Sequence, residues 1–147
     1  MKKIICLFAA LVITGAVAFA LDANQMKYVL LYNADNGIGG DTTGPVTDVS
    51  VYKGNAAFAV AFGTAATAGN TNTATIKHCA TTNGTFVTAT NINGTAVKVQ
   101  VVGAAASSLN TVACDLGRLN KYIRAEVEFN AETNGCAVWM VAPMKSE

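Results

Sequence analysis

The chain is poor in the residues that nucleic-acid-binding proteins and many enzymes depend on. It has 147 residues, one histidine (His78), two prolines and only 13% charged residues. The formal net charge is +1 and no basic stripe is present, which disfavours nucleic acid as a partner because phosphate binding needs concentrated positive charge. Any Ser-His-Asp or Cys-His catalytic group would have to use His78.

Helical periodicity is also missing, and alternation of period two takes its place. No stretch after residue 20 repeats its apolar residues every 3.6 positions. In Tyr122–Phe129 apolar and polar residues alternate strictly, which predicts a strand with one buried face and one wet face. After a turn at Asn134-Gly135, residues 136–141 are predicted to be the return strand of a hairpin.

Other apolar segments separated by turn residues predict more strands. They are residues 26–32, 46–52, 57–62, 73–79, 86–90, 96–102 and 111–116. Residues 73–90 are predicted to form a hairpin and Asn93-Gly94 a turn, while 33–44 and 65–72 have loop compositions. About eight to nine short strands predict an all-β fold, an antiparallel two-sheet β-sandwich of jelly-roll-like type.

The N-terminus predicts a signal peptide. Lys2 and Lys3 precede a long apolar run, and Ala18-Phe19-Ala20 places small residues before a cleavage point at Leu21. A transmembrane anchor is the alternative, although the run is slightly short for a span of about 20 residues. We therefore expect cleavage of residues 1–20, a secreted or extracytoplasmic single domain at 21–147, and no membrane span after cleavage.

Three cysteines belong to the expected mature chain: Cys79, Cys114 and Cys136. In an oxidising compartment two of them could pair, in any of three ways, and the alternative is three small buried free thiols. A zinc site built from these cysteines and His78 would lack the spacing of known zinc ligands. We expect no metal and no cofactor.

Two polar clusters could carry chemistry. Asn33, Asp35, Asn36 and Asp41 lie in one glycine-rich loop and offer oxygen atoms to calcium. The alternating acidic pattern and the closing glutamate of a calcium loop are absent, and these residue types are common in any tight loop.

Glu126 and Glu128 share the wet face of a strand beside Arg124. Paired carboxylates can hydrolyse glycosides. Solvation and cross-strand pairing are the preferred interpretation.

Aromatic residues could instead form a sugar-stacking platform. The candidates are Trp139, Tyr122, Tyr28 and Tyr32. Tyrosine and tryptophan are also ordinary residues of cores and interfaces, and that is the interpretation we prefer.

Several short segments share an order with a known protein family. They are Thr73–Cys79, Thr82–Phe86, Asp115-Leu116, Lys121–Ala125 and Val138–Val141. Together they resemble the small β-sandwich head proteins of tailed bacteriophages, of the capsid-stabilising or decoration type, over about residues 26–142. The resemblance implies a non-enzymatic structural protein of the virion. Such proteins assemble in the cytoplasm, so either this domain has been recruited for export or residues 1–20 have another role.

The expected function is therefore assembly rather than catalysis. A surface with few charges and a net charge near zero opposes self-association only weakly, and strand edges offer unpaired backbone groups to a neighbour. We expect a homo-oligomer or a protein bound to a capsid or surface lattice, with contacts through strand edges and the loops at 33–44 and 64–72. The alternative is a secreted binding module for glycans or a cell surface.

Overall fold

A computed structural model describes residues 26–34, 40–63, 71–102, 108–130 and 135–145. Within these ranges the chain forms ten strands, one short 3-10 helix and no α-helix. The strands are β1 (Met26–Ala34), β2 (Gly40–Thr43), β3 (Thr47–Asp48), β4 (Asn55–Phe62), β5 (Thr71–Cys79), β6 (Val87–Thr88), β7 (Lys98–Val102), β8 (Ser108–Asp115), β9 (Tyr122–Phe129) and β10 (Cys136–Pro143).

These strands form two antiparallel sheets that enclose a common core, which confirms the predicted all-β sandwich. One sheet has four strands in the order β1-β10-β4-β8. The other has six strands, in the order β2-β9-β5-β6, with β3 paired to β9 and β7 paired to β5. Inward-facing side chains of both sheets make one hydrophobic cluster, as expected where each sheet has one face that must leave water.

The predicted alternation along β9 is confirmed. Ile123, Ala125 and Val127 are at most 1% exposed, and Phe129 is 3% exposed. The residues between them point to the other face, where they are half-buried or exposed. Residues 57–62 are apolar at every position, which predicts a strand in the middle of a packed layer. This is confirmed, because β4 lies between β10 and β8.

The local hairpin and turn at 73–96 are confirmed as well. β5 pairs with β6 through Lys77 opposite Thr88 and His78 opposite Val87. The next turn places Gly94 at φ 76°, in the left-handed region that glycine adopts readily.

The predicted hairpin between β9 and β10 is wrong. β9 pairs with β2, β3 and β5 in the six-stranded sheet, whereas β10 pairs with β1 and β4 in the four-stranded sheet. Gly135 has a φ of 127°, but a turn signal in the sequence does not require the flanking strands to hydrogen-bond with each other. Both strands already have partners on their two sides, so the chain crosses from one sheet to the other.

Two further boundaries differ from the sequence-based expectation. The predicted strand at 46–52 shrinks to β3, because the Ser50 N–H donates to the Asp48 carboxylate (2.8 Å) and the chain turns there. In the predicted loop at 33–44, β1 extends to Ala34 and β2 occupies 40–43. β2 is short and lacks an apolar alternation, so its pairing with β9 defines it rather than its own sequence.

A close contact joins the two sheets near the bulge in β1. The register of β1 against β10 shifts between Leu30 and Tyr32, and the extra residue, Leu31, is fully buried. Gly44, just after β2, donates its N–H to the Ala125 carbonyl (2.8 Å). A Cβ atom at Gly44 would lie 1.9 Å from the Leu31 carbonyl oxygen. The chain therefore approaches itself here at a distance that only glycine permits.

Residues 1–25 lie outside the described ranges, so the predicted signal peptide and its cleavage before Leu21 stay predictions. The same holds for parts of the two loops expected to make contacts, at 35–39 and 64–70. Across the described ranges, no helix is long and apolar enough to cross a membrane.

Candidate functional site

The outer faces of the two sheets differ sharply in chemistry. On the six-stranded sheet the outward side chains of β9 and β5 are charged residues and threonines, except for the pair of Tyr122 and Cys79 at one end. Thr73 lies opposite Glu128, Thr75 opposite Glu126, and Lys77 opposite Arg124. Over these positions the face is polar, as the sequence alternation predicts.

Glu126 is the centre of an ion-pair group on this polar face. Its carboxylate contacts the Lys77 ammonium and accepts hydrogen bonds from the Arg124 guanidinium, at 3.1 Å for Nε. Partial burial alone would raise the pKa of Glu126, but hydrogen bonds from Lys77 and Arg124 hold that pKa below its usual value. Arg124 also lies 4.3 Å from the centre of the Phe86 ring. Cross-strand pairing therefore explains Glu126, in agreement with the preferred interpretation.

A hydroxyl-lined depression lies beside this group. Its volume is about 300 Å³. Its walls are formed mainly by Thr42, Thr43, Thr73, Thr75, Lys77, Thr88, Glu126 and Glu128. Hydroxyl and carboxylate oxygens can bind the hydroxyl groups of a ligand through hydrogen bonds. The depression could therefore take a small polar group.

The outer face of the four-stranded sheet is apolar instead. Strand pairing arranges its outward residues in three rows that run across β1, β10, β4 and β8. The rows are Tyr28, Val141, Ala57 and Ala113; Leu30, Trp139, Ala59 and Thr111; and Asn33, Ala137, Ala61 and Leu109. No charged side chain occurs in these three rows. At one end of the same face the alternation continues with Met26 opposite Pro143 and Asn55 opposite Asp115, where the charged residue Asp115 lies. We call the surface of the three rows the apolar face.

Side-chain size changes across the apolar face. On the β1 side, Tyr28 and Leu30 are 59% and 48% exposed. On the β4 and β8 side the first two rows have small residues, with alanines at 57, 59 and 113 and a threonine at 111. The third row has Ala61 on β4 but ends in Leu109 on β8. The face is thus high along β1 and low along β4 and the first two rows of β8.

The four aromatic residues considered as a sugar platform do not come together. Tyr28 and Trp139 lie on the apolar face, and Tyr122 lies on the other sheet. Tyr32 is in the core, where its hydroxyl accepts a hydrogen bond from the Thr42 hydroxyl (2.6 Å) and its ring centre lies 6.4 Å from that of Phe129.

His78 lies near one end of the sandwich, and its neighbour Cys79 points to the opposite face of the same strand, as expected. The Nδ1 atom of His78 accepts a hydrogen bond from the Asn120 backbone N–H (2.9 Å). Desolvation lowers the pKa of His78 below its usual value. Both features favour the neutral imidazole.

The three cysteines are buried free thiols, so of the two open alternatives the unpaired one is observed. Burial raises the pKa of Cys136 to about 12. In the described ranges no group of three His, Cys, Asp or Glu side chains could hold a metal ion. The calcium candidates Asp35 and Asn36 lie outside those ranges, as does the side chain of Asp41.

Comparison with known proteins adds one structural similarity. No family model matches the chain. No curated protein matches it either. Among solved structures, the chain is similar to the SPBc2 prophage-derived protein YomS, with a TM-score of 0.46 and 16% sequence identity, over 80% of this chain and 91% of that chain.

Proposed function

We propose that this protein is a non-enzymatic structural protein that assembles with copies of itself or with a larger lattice. The apolar face carries this proposal. Tyr28 and Leu30 are about half exposed, in two neighbouring rows of residues without charge. A contiguous exposed apolar patch on a folded domain marks an interaction site, because covering it removes apolar surface from water.

The sequence resemblance to phage head proteins supports the same function. A β-sandwich is the fold that the resemblance implies, and the described ranges form one. In that setting the lattice is a capsid and the location is the virion. If residues 1–20 direct export, the lattice is instead an extracytoplasmic surface.

The pKa of Glu126 on the other sheet argues against one catalytic role, that of a general acid. Glu126 forms part of the wall of the hydroxyl-lined depression. Its pKa is lowered, because Lys77 and Arg124 hold the carboxylate in its charged form. A general acid needs a raised pKa near the working pH. The shift of Glu126 has the opposite direction, so this residue is poorly suited to donate a proton.

Light scattering and co-sedimentation test the proposal. Leu30→Glu places a charge on the apolar face, and Val87→Glu is the matched control, because Val87 is 51% exposed on the other sheet. We expect the parent chain and Val87→Glu to self-associate or to sediment with candidate particles, and Leu30→Glu to lose that association. A parent chain that stays monomeric at high concentration and binds no particle contradicts the proposal.

A secreted glycan-binding module is the second candidate, favoured by the hydroxyl-lined depression. Glycan-array binding by the parent chain that falls with Thr75→Val, and is unchanged by Leu30→Glu, would support it. Association that depends on Leu30 and no glycan binding would favour assembly instead.

A further inference from the structure

A second depression lies at one end of the sandwich, where strands begin and end. Its walls are formed by the segment between β3 and β4, by the 3-10 helix (Leu116–Arg118) with the residues that follow it, and by Lys145 after β10. Its volume is about 280 Å³, slightly below the roughly 300–1,000 Å³ of typical ligand pockets. We call it the end pocket. It has room for a small group and not for a large cofactor.

The end pocket carries positive charge. Three exposed lysines line it: Lys53, Lys121 and Lys145. Among the described residues of its lining there is no acidic side chain. Two carboxylates lie nearby. The Lys121 ammonium is 3.3 Å from that of Asp48, and Asp115 precedes the 3-10 helix, where Arg118 balances its charge. Three lysines against Asp48 leave a net charge of +2 at the pocket, which attracts an anion.

The floor of the end pocket is apolar. Val49 and Leu116 are 5% and 6% exposed, and Leu119 packs against the core beside them. Next to the pocket, Val51 is 49% exposed and extends the apolar surface outward. A carboxylate on a short aliphatic stem fits both features, because the stem covers the floor while the charge stays beside the lysines.

The backbone around the end pocket favours a carboxylate over a phosphate. Phosphate sites commonly use groups of free backbone N–H. Here the N–H groups of Leu116 and Gly117 donate instead to the Gly54 carbonyl (2.9 Å) and the Asp115 carboxylate (2.9 Å). The N–H groups of residues 119 and 120 are also used within the chain. The positive charge therefore comes from lysine ammonium groups, which act as point charges.

We propose that the end pocket binds an acidic peptide segment of a partner protein, with one glutamate side chain entering between the lysines. Apolar residues beside that glutamate would cover Val51. This exposed side chain favours a peptide over a free carboxylate, because only a ligand that continues beyond the carboxylate and its stem reaches it. The end pocket shares no residue with the apolar face, so the proposal does not depend on the function assigned to that face.

Titration of the full chain with a short capped peptide tests the proposal. The peptide has one glutamate between two leucines, and binding is followed by the backbone NMR shifts of the protein at constant pH. We expect saturable changes at Gly54, Gly117 and Asn120, which line the pocket, and none on the polar face. The same peptide with glutamine in place of glutamate should bind about tenfold more weakly, because it loses the attraction of the lysines. Added salt should weaken binding of the glutamate peptide.

Lysine variants locate the charge that the peptide recognises. The Lys145 ammonium is held at the pocket by the Ser50 carbonyl (2.5 Å), and Lys145→Gln should weaken binding of the glutamate peptide about two- to fivefold. Lys98→Gln is the matched control, because Lys98 is exposed opposite Thr75 on the other sheet, and its affinity should equal that of the parent chain. Urea unfolding checks that each variant is folded, and Lys53→Gln repeats the test if Lys145→Gln is not.

Two further probes distinguish the sources of the anion. Hexanoate supplies a carboxylate on an aliphatic stem without a peptide, and inorganic phosphate supplies charge without a stem. Both should bind more weakly than the glutamate peptide. Tighter binding of hexanoate would overturn the assignment to a peptide, and tighter binding of phosphate would overturn the assignment to a carboxylate. Equal affinity for the glutamate and glutamine peptides, or no shift at the end pocket with any probe, would overturn the site itself.

Discussion

Replacing Phe129 with alanine tests the register and burial of β9. Phe129 is 3% exposed at the end of the strand, and its ring centre lies 6.4 Å from that of Tyr32 in the core. Truncation of a buried phenylalanine costs about 3–5 kcal/mol through lost transfer free energy and the cavity left behind. Because the position is at the end of β9, its neighbours can relax partly into the space. We expect a loss of about 3 kcal/mol in the free energy of unfolding.

Glu128→Ala is the matched control, one residue away on the opposite face. Glu128 is exposed, and its carboxylate accepts a hydrogen bond from the Asn130 side chain (2.9 Å) at the surface. Exposed substitutions of this kind change stability by no more than about 0.5 kcal/mol. The adjacent pair therefore differs in burial while sharing the same strand.

Urea unfolding of the purified variants, followed by circular dichroism, measures the difference. The Phe129→Ala midpoint should fall well below that of the parent chain, with an unchanged slope, while Glu128→Ala stays close to the parent. Equal losses at the two positions would refute the assignment of Phe129 to the core and Glu128 to water.

Three other predictions concern a close contact, a titration and the N-terminus. Gly44→Ala should cost about 2 kcal/mol or more in urea unfolding, because its Cβ would lie 1.9 Å from the Leu31 carbonyl oxygen; a neutral effect would contradict that close approach. The pKa of His78 is lower in the folded chain than in the unfolded one, so the unfolded state binds the proton more readily. Stability should then be constant above about pH 6.5 and fall below it. His78→Gln should remove this decline between pH 6.5 and 5, and an unchanged pH profile would contradict it. Intact mass spectrometry of the exported protein should show an N-terminus at Leu21, and an intact N-terminus at residue 1 would contradict cleavage.

Much of the fold could be predicted because single strands leave local patterns in the sequence. The alternation in Tyr122–Phe129 correctly assigned which residues face the core. The turn residues around Gly94 marked a true reversal, confirmed by the positive φ of that glycine. The sequence indicates less clearly which strands pair with each other. β9 and β10 are adjacent in the chain, but each is enclosed by strands from distant segments, and no local signal at Asn134-Gly135 distinguishes a hairpin from a crossing between sheets.

The apolar face was harder to predict for a different reason. Residues 26–32 are apolar at almost every position, so alternation does not reveal which side of β1 faces outward. The bulge at Leu31 also changes the phase within the strand. The alanines of β4 identified a strand in the middle of a layer, but small residues are compatible with either face. Only the register among the four strands shows that Tyr28, Leu30 and these alanines share one surface.

The position of β10 has a consequence for how the protein is made. It is the last of the ten described strands, yet it lies between β1 and β4 in its sheet. Until residues 136–143 have left the ribosome, or a secretion channel, β1 and β4 have no neighbour on that side and their backbone groups stay open to other chains. The four-stranded sheet, and with it the apolar face, is therefore completed only after residues 136–143 have emerged. Assembly through that face is delayed until this segment is available, and a shorter nascent chain cannot join a lattice through it.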